Sequence, residues 1–203
     1  MTPIQSLRYI QGFALGDGWI HNKLDRFRLY AYDPSFAGVI RQSIGCVKRE
    51  FGLTGSESWG ADRLTGTHEW RFEVGGSFAV SGMNLGLLKS AEGPYFLAGL
   101  WDADGNWSTP DESHPLGQAR IFGNYHIVRV VKHSLRHQFG IVTGRQSVVT
   151  REGHTSKIGE HLIITRTNVY GSGVLARSMS CWVESIGSKM LLKKRRELLE
   201  KAV

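Results

Sequence analysis

Two aspartates carry the strongest chemical suggestion in this chain. Asp17 and Asp104 each close an apolar, small-residue stretch and are each followed by glycine: residues 9–19 read YIQGFALGDGW and residues 96–107 read FLAGLWDADGNW, with the aspartates 87 residues apart. In the first stretch Gly12 and Gly16 are four residues apart, and in the second Gly99 and Ala103 are. Small residues at that spacing share one helix face and let two backbones approach closely, so the two helices are expected to pack on each other. Gly18 and Gly105 are expected to end them in the left-handed conformation.

Such a pairing sets two carboxylates side by side at the negative ends of two helix dipoles, which is unfavourable unless something compensates it. A hard divalent cation with oxygen ligands does so, and Mg²⁺ held by one or two carboxylates plus phosphate oxygens is the common solution. Metal ions held this way activate water and stabilise the leaving oxygen of an in-line displacement at phosphorus.

The elements that must position these acids are also written twice. Each half reads helix, two strands, helix, two strands, helix. The boundary falls near residue 91, giving units 1–91 and 92–203 joined by the short stretch Ser90-Ala91-Glu92-Gly93-Pro94, which implies packed subdomains. Arg26, Arg28, Tyr30 and Tyr32 alternate with Phe27, Leu29 and Ala31, the pattern of a strand with one polar, basic face. Trp70, Phe72 and Val74 alternate likewise with Glu69, Arg71 and Glu73, and Gln118, Arg120 and Phe122 with Ala119 and Ile121. Basic helices follow from Pro34 and from about Tyr125, ending at Phe51-Gly52 and Phe139-Gly140. Residues 144–150 and 161–167 read as strands separated by the loop Arg151–Gly159, and Gly171-Ser172-Gly173 reads as a turn. The loop Ser108 to Gly117 is longer than its counterpart Asn22 to Asp25, so the halves are not equivalent.

Lys and Arg number 25 against 18 Asp and Glu, a formal charge of +7 that favours a polyanionic partner without identifying it. Cys46 and Cys181 have neither the spacing nor the companions of a metal site and read as reduced thiols. No run of apolar residues reaches membrane-span length and no leader pattern opens the chain, so an intracellular, soluble protein of cytoplasm, nucleoid or organelle matrix is expected.

LAGLWDADG at 97–105 departs from the LAGLIDADG nonapeptide only at Trp101, and IQGFALGDG at 10–18 resembles a more diverged copy. The chain thus resembles the LAGLIDADG homing endonucleases, in their two-motif, monomeric branch. The resemblance implies an α+β fold of two pseudo-twofold αββαββα units whose two antiparallel sheets straddle double-stranded DNA as a saddle. It implies metal-dependent hydrolysis of both strands, leaving short 3′ overhangs, in intron homing. By motif position Asp17 and Asp104 become the catalytic, metal-binding pair, with the carbonyls of Gly16 and Ala103 as further ligands and with Mn²⁺ or Ca²⁺ able to replace Mg²⁺. The sixth motif position is Asp102 in one copy and Leu15 in the other, which leaves the role of Asp102 open.

Family members add a basic residue and a water-organising polar residue to each active site. Lys89 and Lys189 are the basic candidates and Asp33 and Asn124 the polar ones, and either lysine reads equally well as a solvated surface residue. The expected DNA contacts are Arg26, Arg28, Tyr30, Tyr32, Arg71, Gln118, Arg120, Arg145, Ser147, Thr165 and Thr167 on the sheets, with Lys23, Arg151 and Lys157 on phosphates. No membrane and no obligate protein partner are expected.

His133 and His137 stand at i, i+4 but lack a third ligand nearby and read as a solvated helix face. Lys193 to Arg196, interleaved with leucines, reads as a terminal helix with a basic outer face. Two other functions fit the same fold: an RNA-binding intron maturase and a DNA-binding protein that no longer cleaves. Retention of both motif carboxylates favours the nuclease, because unused like charges are costly.

Overall fold

A computed structural model of the chain describes residues 1–61, 68–76, 85–108, 111–158 and 161–191. In order the elements are α1 (Pro3–Asp17), β1 (Trp19–His21), β2 (Arg26–Ala31), α2 (Pro34–Phe51), β3 (Thr54–Ala61), β4 (His68–Gly75), α3 (Gly93–Asp104), β5 (Asn106–Ser108), β6 (Gln118–Gly123), α4 (Tyr125–Phe139), β7 (Ser147–Thr150), β8 (Thr155–Ile158), β9 (His161–Ile164), β10 (Val169–Gly173) and α5 (Met179–Ser185). Two four-stranded antiparallel sheets result, ordered β1-β2-β4-β3 and β5-β6-β10-β7. The architecture is α+β with one topology used twice, β10 standing where β4 stands in the first sheet. Among the described residues no helix is long and apolar enough to cross a membrane.

Local chemistry sets the element ends. Thr2 and Gln5 form a reciprocal capping box at the start of α1, with Pro3 in its first turn. Asp33 and Asn124 cap α2 and α4: their Oδ1 atoms accept the backbone N–H of Phe36 at 3.1 Å and of Ile127 at 3.0 Å. Left-handed glycines follow the same two helices, Gly52 at φ 63° and Gly140 at φ 65°.

The core is a single cluster with α1 and α3 at its centre. Gly12 lies so close to α3 that a Cβ there would stand 1.9 Å from the Phe96 carbonyl oxygen, and one on Gly99 would stand 2.0 Å from that of Tyr9. Gly16 meets Ala103 in the same way one turn later, at 2.6 Å from the Ala103 Cβ. The outer helices α2 and α4 then cover the apolar sheet faces, where Phe27, Leu29, Phe72 and Val74 of the first sheet and Ala119 and Ile121 of the second are buried. Trp101, the departure from the nonapeptide, is buried against Trp182 of α5 with ring centroids 5.3 Å apart.

Several local readings change. Gly18 and Gly105 are extended, at φ −101° and −82°, and not left-handed. Their requirement for glycine is steric: the strand folds straight back on the helix, and a Cβ would lie 2.6 Å from the Ala14 carbonyl oxygen or 2.2 Å from the Trp101 ring. Gly171-Ser172-Gly173 is no turn but part of β10, where Val149 and Phe122 close over the bare Gly171. The supposed loop Arg151–Gly159 contains β8, which pairs with β9 in a separate hairpin, so Thr165 and Thr167 lie beyond β9 and off the main sheet. The segment before Lys89 is a 3₁₀ turn, Leu85–Lys89. Glu69 is buried, whereas Trp70 at the sheet's end packs on exposed Trp59 with centroids 4.0 Å apart. The expected basic terminal helix at 193–196 lies outside the described residues.

Replacing Gly99 by alanine should destabilise the fold by at least about 2 kcal/mol, because the obstructing atoms are backbone and the helices must separate. Gly38→Ala on α2, where a Cβ meets nothing within 4 Å, should be neutral or stabilising. Urea unfolding of the two variants checks this, and equal stabilities would contradict the close-approach account.

Candidate active site

The helix pair brings the two aspartates together at its C-terminal end. Asp104 lies against Gly16, whose missing Cβ would stand 3.2 Å from its Cγ and from its Oδ2. Burial, and then the charge of Asp17, push the Asp104 carboxyl up to about 6. Asp17 remains open to solvent at the surface, yet the surrounding protein raises its carboxyl as well. Among the described residues neither acid has a cationic partner strong enough to offset desolvation, the condition that a hard cation would relieve.

Asp102 is a different kind of acid. It is buried, and its Oδ2 accepts the Tyr9 hydroxyl at 2.7 Å and the Leu191 backbone N–H at 2.9 Å. It ties α3 to α1 and to the C-terminal segment, which explains why the sixth motif position carries an acid in one copy and leucine in the other.

The lysines expected to serve the site are elsewhere. Lys189 stands 6.0 Å from the ring centroid of Tyr95, in the first turn of α3, with its ammonium on the Glu184 carbonyl and the Ser188 hydroxyl. Asp104 is nine residues further along α3, about 13 Å at helical rise, beyond a lysine's reach. Lys89 immediately precedes the same N-terminal end of α3. Both lie at the opposite end of the helix pair from Asp17 and Asp104, and the structure does not bring them to the site.

Strand register supplies cations that linear spacing could not reveal. The second residue after Asp17, Trp19, pairs with Arg28, and the second after Asp104, Asn106, pairs with Arg120. Each acid thus has an arginine across from its following strand. Asp33 and Asn124 are placed chiefly as helix caps, one at the end of each second strand.

The open sheet faces bear most of the remaining candidates. On the first, Arg26, Arg28, Tyr30 and Arg71 are half-exposed and Tyr32 is exposed beyond the strand. Arg26 and Arg28 pair with Glu73 at 2.9 and 2.7 Å, while Arg71 contacts Glu69 at 2.6 Å. Trp19 and His21, which the sequence reading passed over, share this face: their rings are 5.2 Å apart and the Arg28 guanidinium sits 5.3 Å from the Trp19 centroid. A three-residue strand is too short to show alternation, so only pairing could find them. On the second face Gln118, Arg120, Arg145 and Ser147 line a groove of about 460 Å³. Lys23 is exposed in the turn after β1, and Arg151 and Lys157 are exposed at the β8–β9 hairpin. His133 and His137 lie ring to ring at 4.2 Å, and among the described residues no group of three or more metal-ligand side chains gathers there or elsewhere.

This arrangement is the LAGLIDADG fold. Solved structures with it include a variant of the homing endonuclease I-DmoI in complex with its target DNA in the presence of magnesium, 14% identical with a TM-score of 0.61 over 91% of this chain and 97% of that one. I-DmoI in complex with DNA and manganese is 16% identical, TM-score 0.61, over 94% of this chain and 100% of that one. Full-length WhiA from Thermotoga maritima is 12% identical, TM-score 0.61; 98% of this chain matches 60% of that protein. At these identities the likeness establishes the fold. No protein-family model and no curated protein matches by sequence.

The raised carboxyl of Asp104 has a stability consequence. Because its folded value lies above the ordinary 3.8, folding favours the protonated form, and the group's cost is absent below pH 4, grows up to about pH 6 and is constant beyond. Asp104→Asn should therefore be more stable than wild type at pH 7.5, by on the order of 2 kcal/mol after allowance for solvent screening, and equal to it near pH 3.5. Unfolding curves at the two pH values test this; a variant less stable at pH 7.5 would contradict it.

Proposed function

We propose that this chain is a site-specific DNA endonuclease that uses Asp17 and Asp104 to make a metal-dependent double-strand break. One observation carries the reading: two carboxylates meet at the end of a close-packed helix pair, between two basic sheet faces, and among the described residues no cationic neighbour settles their charge. A fold that only bound nucleic acid would gain from replacing either.

The donor set fits Mg²⁺ or Mn²⁺: two hard carboxylates, with the Gly16 and Ala103 carbonyls one residue upstream. A cation bound there would supply Lewis-acid stabilisation at phosphorus and a nucleophilic water. The protein's part is positional. Asp17 and Asp104 come from opposite halves, one for each DNA strand, which supports cutting of both strands by a single chain; in this reading the cuts leave short 3′ overhangs. Arg120, across from the strand that follows Asp104, supplies positive charge near the flanking phosphates. The polar strands fit the width of the major groove and provide most of the contact area.

I-DmoI structures bound to DNA with magnesium or manganese support this reading, and an origin in intron homing accords with it. The second reading is an RNA-binding intron maturase or a DNA-binding protein of the same fold that no longer cleaves; the fold also occurs as the LAGLIDADG domain of WhiA. Retained acids at both motif positions favour the first.

Asp17→Asn and Asp104→Asn should each lower double-strand cleavage by at least about a hundredfold while leaving duplex affinity nearly intact. The assay is mapping of cut products from a randomised duplex library with and without Mg²⁺. Cleavage undiminished in either variant removes the assignment, and a wild-type chain that binds duplex but never cuts it with Mg²⁺ or Mn²⁺ establishes the second reading.

A further inference from the structure

The two open faces carry the same arginine at the same lattice position and treat it differently. Arg28 is flanked by Trp19 on β1 and Glu73 on β4; Arg120 is flanked by Asn106 on β5 and Gly173 on β10. Glu73 and Gly173 are therefore equivalent sites in the duplicated sheets. On the first face the Glu73 carboxylate accepts Arg28 through one oxygen at 2.7 Å and Arg26 through the other at 2.9 Å. The hydrogen bond from Arg28, aided by the charge of both arginines, holds the Glu73 carboxyl below its ordinary value. On the second face Gly173 offers no side chain, and the Arg120 guanidinium donates at 2.9 Å to the neutral Gln118 amide, Gln118 standing where Arg26 stands in the first sheet. Among the described residues, no acid lines the groove around Arg120 and Arg145.

Affinity for DNA without regard to sequence comes from cations that displace counterions from phosphates, whereas sequence is read by hydrogen bonds to base edges. An arginine already paired to a carboxylate contributes little to the first. Held in a fixed fork, it still has N–H groups free for the guanine edge in the major groove. Resting on the DNA-binding reading above, we propose that Glu73 is a specificity-determining residue, which withholds Arg26 and Arg28 from phosphates and orients them toward bases, so that sequence-independent capture falls to the second face.

The duplication provides its own control, because a Cβ on Gly173 meets nothing closer than 3.5 Å and the position accepts a side chain. The measurement is the dissociation constant for a random-sequence duplex, and for the duplex that wild type enriches from a randomised pool, across a NaCl series. Glu73→Gln should bind the random duplex about fivefold more tightly near 0.15 M salt, with a salt slope steeper by about 0.9 for each arginine released, and its preference for the enriched duplex should fall. Gly173→Glu should weaken random-duplex binding by a similar factor and flatten the slope. Glu73→Gln with unchanged random-duplex affinity and slope overturns the proposal while leaving DNA binding intact, and so does a Gly173→Glu protein that matches wild type. Wild type without salt-dependent duplex affinity overturns the DNA-binding reading itself.

Discussion

Backbone-to-backbone contact between α1 and α3 is the constraint from which the remaining geometry follows. Gly12 faces the Phe96 carbonyl and Gly99 faces the Tyr9 carbonyl at distances that admit no side chain, and Gly16 meets Ala103 one turn on. Helices packed through ordinary side chains stand 8–10 Å apart, whereas removing the side chains on both sides lets the axes close in. That closeness brings Asp17 and Asp104 into electrostatic contact. It also fixes where the two sheets begin, since Gly18 and Gly105 fold each first strand directly back on its helix.

Around this pair the chain handles its acids in three ways. Asp102 is buried and holds the Tyr9 hydroxyl and the Leu191 N–H through its Oδ2, so it works as a structural joint. Glu73 is satisfied by two arginines on an open face, so its charge governs theirs. Among the described residues Asp17 and Asp104 are left with desolvation and each other, and their raised carboxyls express that cost. Residue type is the same or nearly so; the supply of donors from neighbouring elements decides how each acid's charge is met.

The two halves share topology but not surface. The first presents paired arginines, Trp19 and His21 on its open face, and the second a groove floored by Gly171 and Gly173 and edged by Arg120 and Arg145. The β8–β9 hairpin and the longer loop after β5 occur in the second half. The duplicated scaffold therefore presents two unequal open faces.

The sequence by itself determined the duplication, the helix pair and the identity of the acids, because small-residue spacing and period-two alternation are local patterns that translate directly into faces. Gly12, Gly16, Gly99 and Ala103 could be read as a contact surface, and Arg26, Arg28, Gln118 and Arg120 as one side of a strand. What only the tertiary structure decided was which residues from separate segments meet. Lys89 and Lys189 looked equivalent to site lysines until the length of α3 placed them at its far end. Glycines in β10 looked like a turn because no single sequence shows that Val149 and Phe122 close over them. Arg28 opposite Glu73, and Arg120 opposite Gly173, follow from strand register, which is set by cooperative packing of both sheet faces and not by the order of residues along either strand.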